Sequence, residues 1–272
     1  MFKIYTATHG RQIEYETLKF SGGEIQVKFA GVRPSRYPPL TIRADLTSSD
    51  SVMELLLVTD ALRRWTQDDS HIRLICPYLP YARQDRVMEP GESLALRVMC
   101  DLINSLKFES VQVWDVHSDV ALALLDRVEN VPAQSFVQMA SIWSTHPILV
   151  APDAGAIKKV SKLAGGYRMD MVRADKMRST VDGSITGTKV YSETIGDRDF
   201  LIVDDICDGG RTFIELAKEL RPLTTGKIYL YVTHGIFSRG LDVFAGLIDH
   251  IFVANLFPEV DRSNPILTEL AI

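Results

Sequence analysis

The 272-residue chain has few cysteines and no excess of positive charge. Cys76, Cys100 and Cys207 are odd in number and lack metal-ligand spacing, which argues against a disulfide scaffold or a zinc site and for a reducing compartment. A net charge of −5 excludes a surface that holds nucleic acid or anionic lipid by charge alone, so basic residues that converge locally are candidates for a site. No run of 18 apolar residues occurs, and Met1–Thr6 carries no apolar core of a leader. A soluble cytoplasmic protein is expected, with no nucleic-acid or membrane partner. Three phosphate and nucleophile motifs are also missing. There is no G-x-x-x-x-G-K-[ST] loop, no G-x-G-x-x-G turn and no G-x-S-x-G elbow, so P-loop kinases, Rossmann dehydrogenases and α/β-hydrolases have no support.

What the chain does contain is an alternation of strand and helix patterns. Runs at 15–20 and 24–29 flank Ser21-Gly22-Gly23 as a hairpin would. Strands are expected at 40–46, 72–76 and 110–115, with helices over about 50–65 and 92–106 and another starting near His117. The second half repeats the scheme. Strands at 147–151, 168–173, 187–192, 199–203, 227–233 and 250–253 are interleaved with helices over about 155–164 and 212–220. Such alternation predicts α/β architecture with mostly parallel sheets covered by helices, in two units expected at 1–145 and 146–272.

The densest chemistry lies at 200–212. Phe200 to Val203 form an apolar run that enters Asp204 and Asp205; Asp208-Gly209-Gly210-Arg211-Thr212 then opens a helix. Ligand sites in open α/β sheets lie at the carboxyl ends of strands. Unpaired amides at a helix start bind anions, and glycines let the backbone approach them. Carboxylates hold hydroxyls or a hard cation. The segment therefore suits a phosphorylated polyol, with phosphate on the loop and hydroxyls on the two acids.

Other strand ends carry comparable groups. After 72–76 come two prolines, two tyrosines and the cluster Arg83, Gln84, Asp85, Arg86. Arginine forks suit phosphates, although a solvated loop with surface ion pairs would have the same composition. Asp115-Val116-His117 and Pro152-Asp153-Ala154-Gly155 place possible metal ligands at two further ends. A structural histidine and a helix cap are the plain alternatives for His117 and Asp153. Residues 173–185 lack apolar periodicity, and Lys176 and Arg178 alternate within them. This stretch suits either a solvated connection or a lid that brings two cations to phosphates.

Together these residues resemble a known family. Val203 to Thr212 is similar to the ribose 5-phosphate loop of type I phosphoribosyltransferases, which marks a superfamily. Pro80-Tyr81-Ala82-Arg83-Gln84-Asp85 resembles the narrower signature of ribose-phosphate diphosphokinases, the PRPP synthetases, and Phe20-Ser21-Gly22-Gly23-Glu24 resembles their adenine loop. Asp115–His117, Pro152–Gly155, Asp175–Arg178 and Thr233–Ser238 match further blocks in order, so the resemblance spans about residues 18–240.

The resemblance implies two phosphoribosyltransferase-like domains, the first serving ATP and the second ribose 5-phosphate. The implied reaction transfers the β,γ-diphosphoryl group of ATP to the C1 hydroxyl of ribose 5-phosphate, giving PRPP and AMP. By motif, Phe20, Gly22, Gly23, Glu24, Arg83, Gln84 and Asp85 would hold ATP. Asp204, Asp205, Asp208, Gly209, Gly210, Arg211 and Thr212 would hold ribose 5-phosphate. His117, Asp153 and Asp115 would serve Mg²⁺, and Lys176 and Arg178 would be the catalytic cations. A homodimer or homohexamer is implied, with the adenine loop reaching a neighbouring subunit.

Several features depart from the family pattern. Gly22 stands where Asp or Asn is common, which bears on nucleotide selectivity. Gly209 stands where Thr is usual and Arg211 where a small residue is usual. The segment before Phe20 is short, and the allosteric sites find no match. Two other functions share parts of the pattern: a phosphoribosyltransferase that consumes PRPP, and a non-catalytic relative that binds PRPP or nucleotide. The first leaves the Arg83–Gln84 signature unexplained, and the second has no need of Lys176 and Arg178.

Overall fold

A computed structural model describes residues 2–6, 10–30, 39–66, 71–178, 185–192 and 195–270, with 144, 176–178 and 185–188 described by backbone alone. The chain divides into two compact units, Met1–Val131 and Pro132–Ile272.

The first unit contains β1 (Lys3–Thr6), β2 (Tyr15–Lys19), β3 (Ile25–Phe29), β4 (Leu40–Arg43), α1 (Ser49–Thr66) and β5 (Ile72–Cys76), then α2 (Ala95–Ser105), β6 (Ser110–Trp114), α3 (Asp119–Leu124) and β7 (Val128–Val131). Its sheet runs β1-β4-β5-β6-β7, parallel except for β1 against β4. Strands β2 and β3 form a separate antiparallel hairpin, as the glycine turn predicts. Helix α1 shows why its residues are helical. Ser48 Oγ accepts from the Ser51 amide at 3.1 Å, Asp50 sits in the first turn and Arg63 and Arg64 in the last. Leu55, Val58, Thr59, Leu62 and Thr66 recur every three or four residues and are buried. The hairpin is anchored to this helix: Phe29 stacks on Trp65 with centroids 5.2 Å apart, and the Tyr15 hydroxyl donates to Glu54 Oε1 at 2.7 Å.

The second unit contains α4 (Gln134–Val137), β8 (Ile148–Ala151), α5 (Ile157–Tyr167), β9 (Met171–Arg178), β10 (Ile185–Val190), β11 (Phe200–Cys207), α6 (Arg211–Leu220), β12 (Ile228–Gly235), β13 (His250–Leu256) and β14 (Leu267–Glu269). The strand order is β10-β9-β8-β11-β12-β13-β14, and only β9 and β10 pair antiparallel. Central β11 and β12 are almost wholly buried, which is why they appear in the sequence as continuous apolar runs. The chain leaves β8 toward β9 on one side and returns at β11 on the other, so a topological switch lies between β8 and β11.

Four expectations need correction. The boundary between units falls at 131/132, because residues before 146 pack into the second unit. There Trp143 stacks on Tyr167 at 4.5 Å, and the Tyr167 hydroxyl donates to Gln138 Oε1 at 3.3 Å. Strand β11 does not stop at Val203 but continues through both acids to Cys207, paired with β12 as far as Gly235. Strand β9 likewise continues through Lys176 to Arg178 and pairs with β10, so these two residues sit on a hairpin arm and not in a connection. The remainder of the expected lid, 179–184, lies outside the described residues. The short edge strands β1, β7 and β14 were not expected.

Candidate active site

In the first unit the site is built where β5 gives way to the proline- and tyrosine-rich loop. Tyr81 adopts a left-handed backbone (φ 64°), and its carbonyl accepts the Gln84 amide at 2.9 Å. The Gln84 carbonyl in turn accepts the Leu96 amide, tying the loop to the start of α2. This folding opens a cavity of about 730 Å³ whose walls include Arg83, Gln84, Asp85 and His117. These residues come from two sequence blocks more than 30 residues apart. Arg86, noted in the sequence as part of the charged cluster, also lines the cavity, as do Met88, Glu92 and Ser93, which the sequence did not single out. Glu92 has a local signature: its Oε2 accepts the amides of Met88 at 2.8 Å and Glu89 at 3.2 Å and so shapes the loop rim.

Asp85 is heavily engaged. Its Oδ1 accepts Arg86 Nε at 2.7 Å, and its Oδ2 accepts Ser118 Oγ at 2.7 Å and a second Arg86 nitrogen at 3.2 Å. These bonds, Arg86 first and Ser118 second, push its carboxyl down to about 2. Asp115 does not line the cavity. It is 5% exposed, has φ 40° and donates its amide to the Val131 carbonyl. The tip of the β2–β3 hairpin also lies outside the cavity lining. Its turn closes through Phe20 N to Glu24 O at 2.8 Å and Gly23 N to Phe20 O at 2.9 Å, with Gly23 at φ 98°. Phe20 is 52% exposed, and the Glu24 carboxylate folds into the space where a side chain at Gly22 would begin.

In the second unit the expected residues gather at the β8/β11 switch, the crevice where open α/β sheets bind ligands. Asp153 follows β8. Its Oδ1 accepts the amides of Gly155 at 3.0 Å and Ala156 at 3.2 Å and so closes the turn before α5; the cap position itself is Ala156, so Asp153 is not the helix cap weighed from the sequence. Asp204 and Asp205 lie on β11, and the Asp205 amide donates to Asp204 Oδ1 at 3.0 Å. Burial, then the neighbouring Asp205 charge, holds the Asp204 carboxyl well above the usual carboxylate range; Lys159 on α5 opposes this.

The glycine loop is shaped from below. Gly210 has φ 75°, and a Cβ there would lie 2.5 Å from Phe244 Cζ, so two independent constraints demand glycine. Cys207 O accepts the amides of Ile236 and Phe237, and Asp208 Oδ1 accepts Ser238 Oγ at 2.6 Å. Helix α6 begins at Arg211, leaving its first amides without partners one turn back. Gly209 stands beside Arg239, Thr212 is partly buried, and Arg211 is exposed. Lys176 and Arg178 are placed by backbone only.

Among the described residues, no group of three or more His, Cys, Asp or Glu forms a cage for a metal ion. The residues present nevertheless suit a hard cation that arrives with its own phosphate oxygens and water, which needs only one or two protein ligands. No described helix is long and apolar enough to cross a membrane.

Comparison with known proteins fits this geometry. The profile of a family described as the N-terminal domain of ribose phosphate pyrophosphokinase matches residues 3–106. The ribose-phosphate pyrophosphokinase of Pasteurella multocida is 30% identical over 263 residues, covering 91% of this chain and 81% of that protein. The chain belongs to the ribose-phosphate pyrophosphokinase family. The Thermococcus kodakarensis relative of the same name is 28% identical over 272 residues, covering 95% of this chain and 91% of that one. The crystal structure of phosphoribosylpyrophosphate synthetase from Mycobacterium smegmatis shares the fold, with TM-score 0.78 and 23% identity over 95% of this chain and 86% of that one. The fold is thus that of the family, with two mostly parallel sheets.

Proposed function

We propose that this member of the family transfers the β,γ-diphosphoryl group of ATP to the C1 hydroxyl of ribose 5-phosphate, forming PRPP and AMP. The observation that carries this reading is the cavity that joins the Arg83–Gln84 signature to His117. A transferase that consumes PRPP has no use for such a donor cavity.

The residues divide the work. Arg83 supplies a fork for donor phosphate oxygens, and Gln84 offers both a donor and an acceptor. The free amides at the start of α6, with the Asp208–Thr212 loop, hold the 5-phosphate. Asp204 and Asp205 bind ribose hydroxyls. In this position the C1 oxygen attacks the β-phosphorus, the bond from that phosphorus to the α–β bridging oxygen breaks, AMP leaves and the hydroxyl proton is released. Lys176 and Arg178 are assigned to the charge on the transferring group, where positioning and electrostatics supply most of the acceleration. His117 in the first unit and Asp153 in the second would each serve Mg²⁺ that arrives with substrate oxygens and adds positive charge to the phosphates. Asp115, buried beside this strand end, would support the His117 loop. The hairpin tip Phe20–Glu24 is assigned to the adenine, across a subunit boundary in a cytoplasmic homodimer or homohexamer.

Incubation with ATP, Mg²⁺ and ribose 5-phosphate is expected to release AMP and PRPP in equal amounts. Absence of AMP, with pyrophosphate formed instead from PRPP and a nucleobase, would replace this reading with a phosphoribosyltransferase.

A further inference from the structure

The donor cavity is bounded by two segments distant in sequence, the loop after β5 and the turn between β6 and α3. Only specific contacts can fix their spacing. One such contact is the bond from Ser118 Oγ to Asp85 Oδ2 at 2.7 Å, between partners 33 positions apart in sequence. Ser118 also caps α3, accepting the Val120 amide at 3.2 Å. Asp85 is clamped from its other side by Arg86, whose Nε and one terminal nitrogen both reach it. A continuous path therefore runs from Arg86 through Asp85 and Ser118 to the first turn of α3. His117 is the residue immediately before Ser118, and both Asp85 and His117 face the cavity.

We propose that Asp85 and Ser118 form a strut that positions His117 against Arg83 and Gln84, and that Asp85 is a positioning residue and not a ligand of the nucleotide. Two observations support this. Both Asp85 oxygens already accept charged or hydroxyl donors, and its side chain is only 13% exposed. The strut deepens the donor-site reading above and rests on it.

The test is a double-mutant cycle read in steady-state kinetics. Ser118→Gly removes the hydroxyl, and glycine is itself a fair N-cap, so α3 loses little. This variant is expected to raise KM for MgATP about 5–10-fold, with kcat and the KM for ribose 5-phosphate within about 2-fold of the parent. Ser118→Thr, which keeps the hydroxyl, is expected to restore the parent KM. Asp85→Ala is expected to show a similar rise, and the double variant Asp85→Ala/Ser118→Gly no more than the larger single one. Additive effects would mean that Asp85 touches the nucleotide itself and would overturn the proposal, as would a parent-like KM in Ser118→Gly. Thermal unfolding checks that each variant is folded, and direct ATP binding by calorimetry repeats the cycle without turnover. A parent enzyme that releases no AMP would instead remove the donor-site reading, a separate outcome from a failed cycle in an active enzyme.

Discussion

At the scale of single residues, Asp204 and Gly210 carry the sharpest consequences. The folded Asp204 carboxyl titrates well above the ordinary value of about 4, so the fold favours its protonated form. Stability tied to this group is complete below about pH 4 and is lost as pH rises toward its folded pKa. Asp204→Asn is therefore expected to raise the unfolding temperature of the ligand-free protein by roughly 2–5 °C at pH 8, with no gain at pH 4. The same change is expected to weaken ribose 5-phosphate binding at least about 10-fold, the loss of roughly one charged hydrogen bond. Scanning calorimetry at both pH values and a binding titration check the pair of effects; equal stabilisation at pH 4 and 8 would contradict the assignment. Gly210→Ala meets both the left-handed backbone and the Phe244 ring. We expect a destabilisation on the order of 2–4 kcal/mol, partly recovered by Phe244→Leu, which removes the colliding ring atoms. Denaturant titration of the single and double variants measures it.

At the scale of elements, the β9–β10 hairpin is the decisive test. Lys176 pairs with Thr188 and Arg178 with Ile185 across an arm whose register shifts between Ile185 and Gly187. If this arm delivers charge to the reaction, Lys176→Ala is expected to lower kcat at least about 100-fold, with little change in ribose 5-phosphate affinity. A loss under about 3-fold, below roughly 1 kcal/mol of barrier, would remove Lys176 from the mechanism. This hairpin also shows where sequence patterns stop being informative. Periodicity located the central elements because burial on both faces makes β11 and β12 continuous apolar runs and amphipathic spacing marks α1 and α6. It failed at β9 because Asp175, Lys176 and Arg178 on an edge arm follow no apolar alternation. It also ended β11 too early, since Asp204 and Asp205 look like a loop although both lie within the strand. Within the site, Arg83, Gln84 and His117 were legible as separate motifs. Glu92 and the Ser118 strut were not, and Arg86 was visible only as a member of a charged cluster, because their roles depend on which loops meet and not on local spacing.

At the scale of the whole molecule, each unit has its own hydrophobic core, one around Leu74 and Val113 and the other around Ile202 and Leu230. A fragment spanning 132–272 is accordingly expected to unfold cooperatively on its own and to retain ribose 5-phosphate binding within about 10-fold. It should release no AMP from ATP. Circular dichroism and calorimetry on the fragment test this; an unfolded fragment would show that the second unit depends on the first. The support of the glycine loop by Phe244 and by the amides of Ile236 and Phe237 has one more consequence. The ten residues Val203 to Thr212 are braced by a segment encoded some thirty positions later, which is absent from any search pattern built on those ten. A gene fragment that ends before Ile236 would still carry a recognisable motif, yet its product would lack the floor on which that motif takes its form. In a truncated or rearranged relative, the presence or absence of this later segment is the better guide to whether the loop keeps its form.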